Sequence, residues 1–245
     1  MPEKPPPYAL HPVTAEKTEN PTAHVKRVTI DASHLPALWP SLPAQWLKVF
    51  VPRPDGTRSG GRAYTIRRFD PLTGRLEIDF VLHGDSGEIS AWAARAEAGA
   101  RFEVSAPHPR SGFAIDPATR HYLLLGDETA LPAIAAILEA MPPEAEATAI
   151  LDIASAAEEQ PLSSRARLTL IWLHRDGPSP RTLTDALWER GLTPGTIVWA
   201  AAESAEIAAI RHAIKLRGLP RAEFTAAGYW KRGEADHLDH EAAAA

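Results

Sequence analysis

From His121 onward the chain repeats one unit, a short apolar run, a turn and a stretch of helical periodicity, and that repeat leaves few folds open. The runs His121–Leu125, Ala147–Ile153, Leu168–Leu173, Thr196–Ala201 and Glu223–Ala227 have strand length, and helical segments near Leu131–Ala140, Leu183–Arg190 and Ala205–Leu216 fall between them. Alternation of this kind predicts a doubly wound parallel sheet with helices on both faces. Ligands of such a sheet belong at the carboxyl ends of its strands.

The rhythm before Asp116-Pro117 is different. Strands at Val25–Ile30, Trp46–Pro52, Arg62–Arg68, Leu76–Leu82 and Arg101–Ser105 are separated by Pro and Gly turns, with one helix near Ile89–Ala98, which predicts an antiparallel β barrel. Residues 1–23 are Pro-rich and without periodicity, so a flexible arm is expected there. The fold class expected is therefore a β barrel plus an α/β domain. Its parts are an arm at 1–23, a barrel at 24–115, an α/β domain at 116–233 and a tail at 234–245, and 245 residues suffice for two domains.

Within the barrel half, Arg62-Ala63-Tyr64-Thr65-Ile66-Arg67 joins two cations, a ring and a hydroxyl in six positions. A flavin dinucleotide needs those groups: a flat ring against the isoalloxazine, a donor near its redox nitrogen and positive charge on the pyrophosphate. Strand alternation puts Arg62 and Tyr64 on one face and Thr65 and Arg67 on the other, so a single ligand meets all four only across the strand's edge or end. The same run also suits an edge strand with solvated arginines. Downstream, the strand ending near Leu82 passes through a Gly-rich loop into a helix, where Gly87 permits close approach and Ser90 offers a hydroxyl to a pyrophosphate. In the second half, Gly126 to Pro132 is a strand-to-helix turn open to a nicotinamide nucleotide, with Thr129 capping the helix and touching phosphate; helix capping alone is the other reading.

Four blocks, in order, resemble the siderophore-interacting proteins: Arg62 to Arg67; Asp79 to Gly84 with Ser90-Ala91-Trp92-Ala93; Gly126 to Ile134; and Gly228 to Gly233. The resemblance runs from about Val25 to Gly233. It implies an FAD-dependent ferric-siderophore reductase on a ferredoxin-reductase-like plan. By that resemblance Arg62 contacts the FAD phosphates, Tyr64 packs on the isoalloxazine and Thr65 bonds near its reactive nitrogen. Arg67, Asp79, Val81, His83, Gly87, Ser90 and Trp92 complete the flavin side, and Asp127, Thr129, Ala130, Tyr229 and Trp230 complete the cofactor set. Lys48, Arg110, Lys231 and Arg232 are implied to ring a cationic pocket for the substrate. Ferric siderophores are often bulky anions, and Fe(III) loses much of its hold on hard oxygen ligands when reduced. One departure is Ala202, where the family usually has Gly.

Composition narrows the rest. With no cysteine the chain forms no disulfide, cysteine-ligated zinc or ordinary iron–sulfur cluster, so redox work requires a borrowed cofactor. Net charge of -5 argues against general nucleic-acid binding, and mean hydropathy of -0.21 against membrane insertion. The opening residues lack a secretory apolar region, which leads us to expect a cytoplasmic protein, read here as a monomer. His237 and His240 with Asp236 have metal-binding spacing, but a solvated tail is the reading taken and no metal site is expected. NAD(P)H is the expected electron donor, because the chain after Gly233 is short and Arg175 would reach a 2′-phosphate if NADPH is used. Reduced ferredoxin is the alternative donor. A general flavin or ferredoxin-NADP reductase relative and a non-catalytic siderophore-binding protein are the rival functions.

Overall fold

Two sheets of opposite character share this chain, one for each rhythm of the sequence. A computed structural model describes residues 9–82, 87–220 and 223–234, and the chain divides into two units, Met1–Ala114 and Ile115–Ala245. In the first unit the described strands β1 (Leu10–Thr22), β2 (Val25–Asp31), β3 (Trp46–Phe50), β4 (Arg62–Asp70), β5 (Arg75–Val81) and β6 (Arg101–Ser105) close into a barrel in the order β1-β2-β5-β4-β3-β6. All the pairings are antiparallel. Helix α1 (Glu88–Arg95) follows β5.

The barrel interior is filled by alternate residues of its strands, among them Val28, Ile30, Leu47, Val49, Leu76, Ile78, Phe80 and Val104. Between β4 and β5 the turn is fixed by Asp70, whose carboxylate accepts from Leu72 N (2.9 Å) and Thr73 Oγ1 (2.7 Å). Gly74 closes that turn at φ +69°, a conformation costly for any residue with a Cβ.

Residues 10–22 are not a flexible arm. β1 pairs with β2 on one side and β6 on the other, and without it the barrel would not close. Its sequence hides this because only Val13, Ala15 and Thr22 along it are buried while the other face is polar. Register shifts at Ala15/Lys17 and Glu19/Thr22 bend the strand around the barrel, and the second shift accommodates Pro21, which has no N–H to give a ladder.

The second unit contains a five-stranded parallel sheet, order β11-β10-β7-β8-β9, built from β7 (His121–Asp127), β8 (Glu146–Ile153), β9 (Arg167–His174), β10 (Thr196–Glu203) and β11 (Phe224–Trp230). Helices α2 (Leu131–Ala140), α3 (Leu183–Arg190) and α4 (Ser204–Leu216) lie between strands in the chain. The central strands β7, β8 and β10 are buried almost throughout, as strands covered on both faces must be, whereas edge strands β9 and β11 are half exposed. At Gly126 an added Cβ would meet Ala130 Cβ at 2.6 Å and Ile134 Cδ1 at 2.9 Å, so glycine lets α2 seat against the end of β7. The chain winds from β7 to β8 and β9 on one side and then to β10 and β11 on the other, so the topological switch point lies between β7 and β10.

Candidate functional site

In the barrel, Arg62, Tyr64, Thr65 and Arg67 sit together on β4, but the alternation expected for them breaks. Thr65, Ile66 and Arg67 are buried in succession. A register shift between Ile66 and Arg68 makes Arg67 a bulged residue, and the bulge turns its side chain inward. Tyr64 packs against Phe80 with ring centroids 4.5 Å apart. Burial pushes its phenol pKa well up while nearby Arg62 pulls it down, so the hydroxyl is a neutral donor at physiological pH. Arg62 is half-buried and its own pKa is lowered by that burial.

The start of α1 has room for an anion. Among the described residues no side chain caps its first turn, and at the N-cap, Gly87, an added Cβ would meet nothing within 4 Å. Glu88 in that turn is held in a bidentate fork from Arg53 (2.8 and 2.9 Å), which offsets its repulsion of a phosphate there. Ser90 Oγ donates to Val81 O at 3.4 Å and so ties the helix to the end of β5. His83 lies outside the described residues, as do Asp236, His237 and His240.

Two flavin-side expectations change. Asp79 is buried with both carboxylate oxygens engaged by Arg27, Nε to Oδ1 at 2.6 Å and Nη2 to Oδ2 at 2.7 Å, so its carboxylate is a cross-strand tie between β5 and β2 rather than a cofactor contact. Trp92 stands between Phe80 (6.0 Å) and Phe102 (5.0 Å) and is part of the barrel's aromatic core. An amphipathic helical tryptophan reads the same in sequence whether it meets a cofactor or a core.

The barrel also brings Lys48 and Arg110 together around a residue the sequence reading missed. His108 stacks on Trp46 with centroids 4.2 Å apart and planes 16° from parallel. Arg110 N donates to His108 Nδ1 at 3.3 Å. Burial, then Arg110 and Lys48, hold the imidazole pKa below its ordinary value, so the ring is neutral at pH 7. Only its place two residues before Arg110 could have flagged it.

In the second unit the predicted residues gather at the carboxyl end of the sheet around Asp127, a buried carboxylate at the end of β7. Its Oδ1 accepts from Thr129 N (2.9 Å) and Thr129 Oγ1 (2.6 Å), and its Oδ2 from Trp230 Nε1 (2.7 Å) and Glu203 N (3.1 Å). Burial nevertheless pushes its pKa up. Glu203 in turn caps α4 at Ala205 N (2.6 Å) and accepts from Arg232 N (3.2 Å), while Ser204 Oγ donates to Trp230 O (2.9 Å). The end of β11 is thus fastened at three points. A register shift past Ala202–Gly228 leaves Tyr229 as the extra residue, set edge-on to Trp199 at 6.3 Å. Lys231 pairs with Glu234 at 2.5 Å, and Arg232 is exposed.

These contacts correct the expected phosphate role of the Gly126 to Pro132 turn. Thr129 spends its N–H and hydroxyl on Asp127, Ala130 N donates to Asp127 O at 3.0 Å, and Pro132 has no N–H. Ala130 is fully buried, so its side chain meets no ligand. Arg175, expected to be available for a phosphate, is forked onto Glu128 and donates to Asp152 O at 3.1 Å. Ion pairs formed across strand ends carry no signature in a linear sequence.

Comparison with known proteins finds a matching family model in each unit. The family model described as the siderophore-interacting FAD-binding domain matches residues 13–111, and that described as siderophore-interacting protein matches 119–233. The chain is 30% identical over 231 residues to the mycobactin import ATP-binding/permease protein IrtA of Mycobacterium tuberculosis, covering 92% of this chain but 26% of that protein, about a quarter of its length. It is 30% identical over 185 residues to the ferric vibriobactin reductase ViuB of Vibrio cholerae, covering 74% of this chain and 68% of that one. A siderophore utilization protein from T. fusca superposes with a TM-score of 0.84 at 35% identity over 96% of this chain and 97% of the other. A ferredoxin NADP+ reductase from Neisseria gonorrhoeae, at 15% identity and a TM-score of 0.73 over 90% of this chain and 99% of that one, shares the fold.

Proposed function

The chain belongs to the siderophore-interacting protein family, and from that membership we propose that it reduces Fe(III) in ferric siderophores to Fe(II), with FAD between a nicotinamide nucleotide and the iron. The observation that carries the reading is the pairing, within the barrel unit, of a half-buried arginine–tyrosine strand with a helix start that no described side chain caps. Bound FAD would accept two electrons and deliver them singly. The chain's own residues bind and orient. Arg62 and the first turn of α1 hold the pyrophosphate, Tyr64 backed by Phe80 supports the flavin ring, and Thr65 donates toward it.

Lys48 and Arg110 draw in the anionic ferric complex, and in the other unit Lys231 and Arg232 do the same. None of these has to replace a ligand of the iron, because reduction alone weakens hard-oxygen coordination. We place the reaction in the cytoplasm, carried out by a monomer, with electrons from a reduced nicotinamide nucleotide at the switch point of the parallel sheet. The test is a visible spectrum of the purified protein before and after anaerobic NADH or NADPH, then with a ferric siderophore and a ferrous chelator. A yellow protein whose colour bleaches and returns as ferrous chelate forms is the expected result. A colourless protein that ignores added FAD would end the proposal.

A further inference from the structure

Resting on the reading that a nicotinamide nucleotide is the donor, we propose that the strand ends β7, β8 and β9 select a dinucleotide without a 2′-phosphate, through Glu128 held on Arg175 and Asp152 beside them. The rule for open parallel sheets places an adenine ribose at the ends of the strands next to the switch point, where a carboxylate accepts from a 2′-hydroxyl and a free arginine accommodates a 2′-phosphate. Here both residue types are present, but the arginine is already engaged.

Arg175 follows directly on β9, and its N–H donates to Ile153 O at 3.0 Å, which fixes the residue against the end of β8. Its Nη1 donates to Glu128 Oε2 at 2.9 Å and Nη2 to Oε1 at 2.5 Å, a parallel fork of the kind that a phosphate would otherwise make. Nη1 also lies 3.4 Å from Asp152 Oδ1. Asp152 Oδ1 is buried and makes no hydrogen bond among the described residues, so it has acceptor capacity left for a hydroxyl.

The local charge points the same way. The negative groups acting on Asp152 are Glu128, Asp127 and Glu206, and the positive one is Arg175. A 2′-phosphate would have to displace Glu128 from its fork and then sit among these carboxylates. With the Thr129 and Ala130 amides spent on Asp127, fewer donors remain to compensate a dianion. A ribose hydroxyl asks for none of this and gains an acceptor.

The experiment titrates the flavin-loaded protein with NAD+ and NADP+ by calorimetry and repeats it with 5′-AMP and 2′,5′-ADP, which isolate the ribose end. Wild type is expected to bind NAD+ at least about ten-fold more tightly than NADP+, a gap worth one decade in affinity. Glu128→Gln frees the guanidinium and should narrow that gap to roughly three-fold or less, and the Glu128→Gln, Arg175→Ala double variant should lose the gain. Anaerobic flavin bleaching should rank NADH and NADPH in the same order. Equal binding of both nucleotides by wild type, or a ratio unmoved by Glu128→Gln, overturns the selectivity and leaves the nucleotide donor standing. If neither nucleotide binds while reduced ferredoxin bleaches the flavin, the donor assignment fails and the selectivity with it.

Discussion

Replacing Asp127 by Asn should unfasten the end of β11. In the wild-type protein one carboxylate accepts four hydrogen bonds, two from Thr129 and two from Trp230 Nε1 and Glu203 N. An amide has a single acceptor oxygen. If that oxygen keeps Thr129, the Nδ2 hydrogens face the Trp230 and Glu203 N–H groups, and two buried donors lose their acceptor. Each orphaned donor costs about 1–3 kcal/mol. Part of this is offset because the carboxylate is itself poorly solvated, as its raised pKa shows. The net cost should be about 2–3 kcal/mol, which for a chain of this size lowers Tm by roughly 5–10 °C. Thermal melts followed in parallel by far-UV and near-UV circular dichroism would measure it, with the tryptophan bands of the native state weakened by the freed indole. A Tm within about 2 °C of wild type and an unchanged near-UV spectrum would refute the claim that Asp127 holds this segment.

Other substitutions test other parts of the reading. Arg62→Ala should weaken FAD binding about ten-fold or more, since a charge-assisted contact is worth about 1.5–3 kcal/mol; flavin titration of the apoprotein checks this, and an unchanged Kd removes Arg62 from the phosphate site. Lys48→Ala and Lys231→Ala should each slow reduction of an anionic ferric siderophore while sparing FAD content, with the effect shrinking at high salt. An equal loss with a neutral chelate would contradict the electrostatic role. Asp152 is pushed up to about 6 chiefly by burial. A raised carboxyl penalises the folded state above that pH and the penalty fades as pH falls toward 4, the ordinary carboxylate range. Asp152→Asn should therefore raise Tm more at pH 8 than at pH 5. After discounting for solvent screening of a partly exposed group, the gain at pH 8 is about 1 kcal/mol, and a pH-independent change would show that burial is not the cause.

Sequence by itself determined the class of both sheets. Three of the five apolar runs from His121 onward, β7, β8 and β10, are legible as strands because continuous burial on two faces demands continuous apolar residues, a requirement written locally in each. The Arg62 to Arg67 strand and the helix start at Gly87 were legible for the same reason, since backbone conformation and residue chemistry act over a few positions. β1 was not legible. Its place depends on two partners, β2 and β6, the latter about 90 residues away in the chain, and backbone pairing leaves no mark on side-chain pattern. The site shows the same division. Residue types pointed to arginine, tyrosine and threonine as candidate flavin partners, but whether a charge is available for a ligand depends on what faces it. Arg27 on β2 reaches its register partner Asp79 on β5, Glu128 takes Arg175 across the strand ends, and Asp127 gathers Thr129, Glu203 and Trp230 from three segments. Those pairings exist only once the sheets form, because a hydrogen bond needs its partners within about 3 Å, and no sequence position specifies that distance.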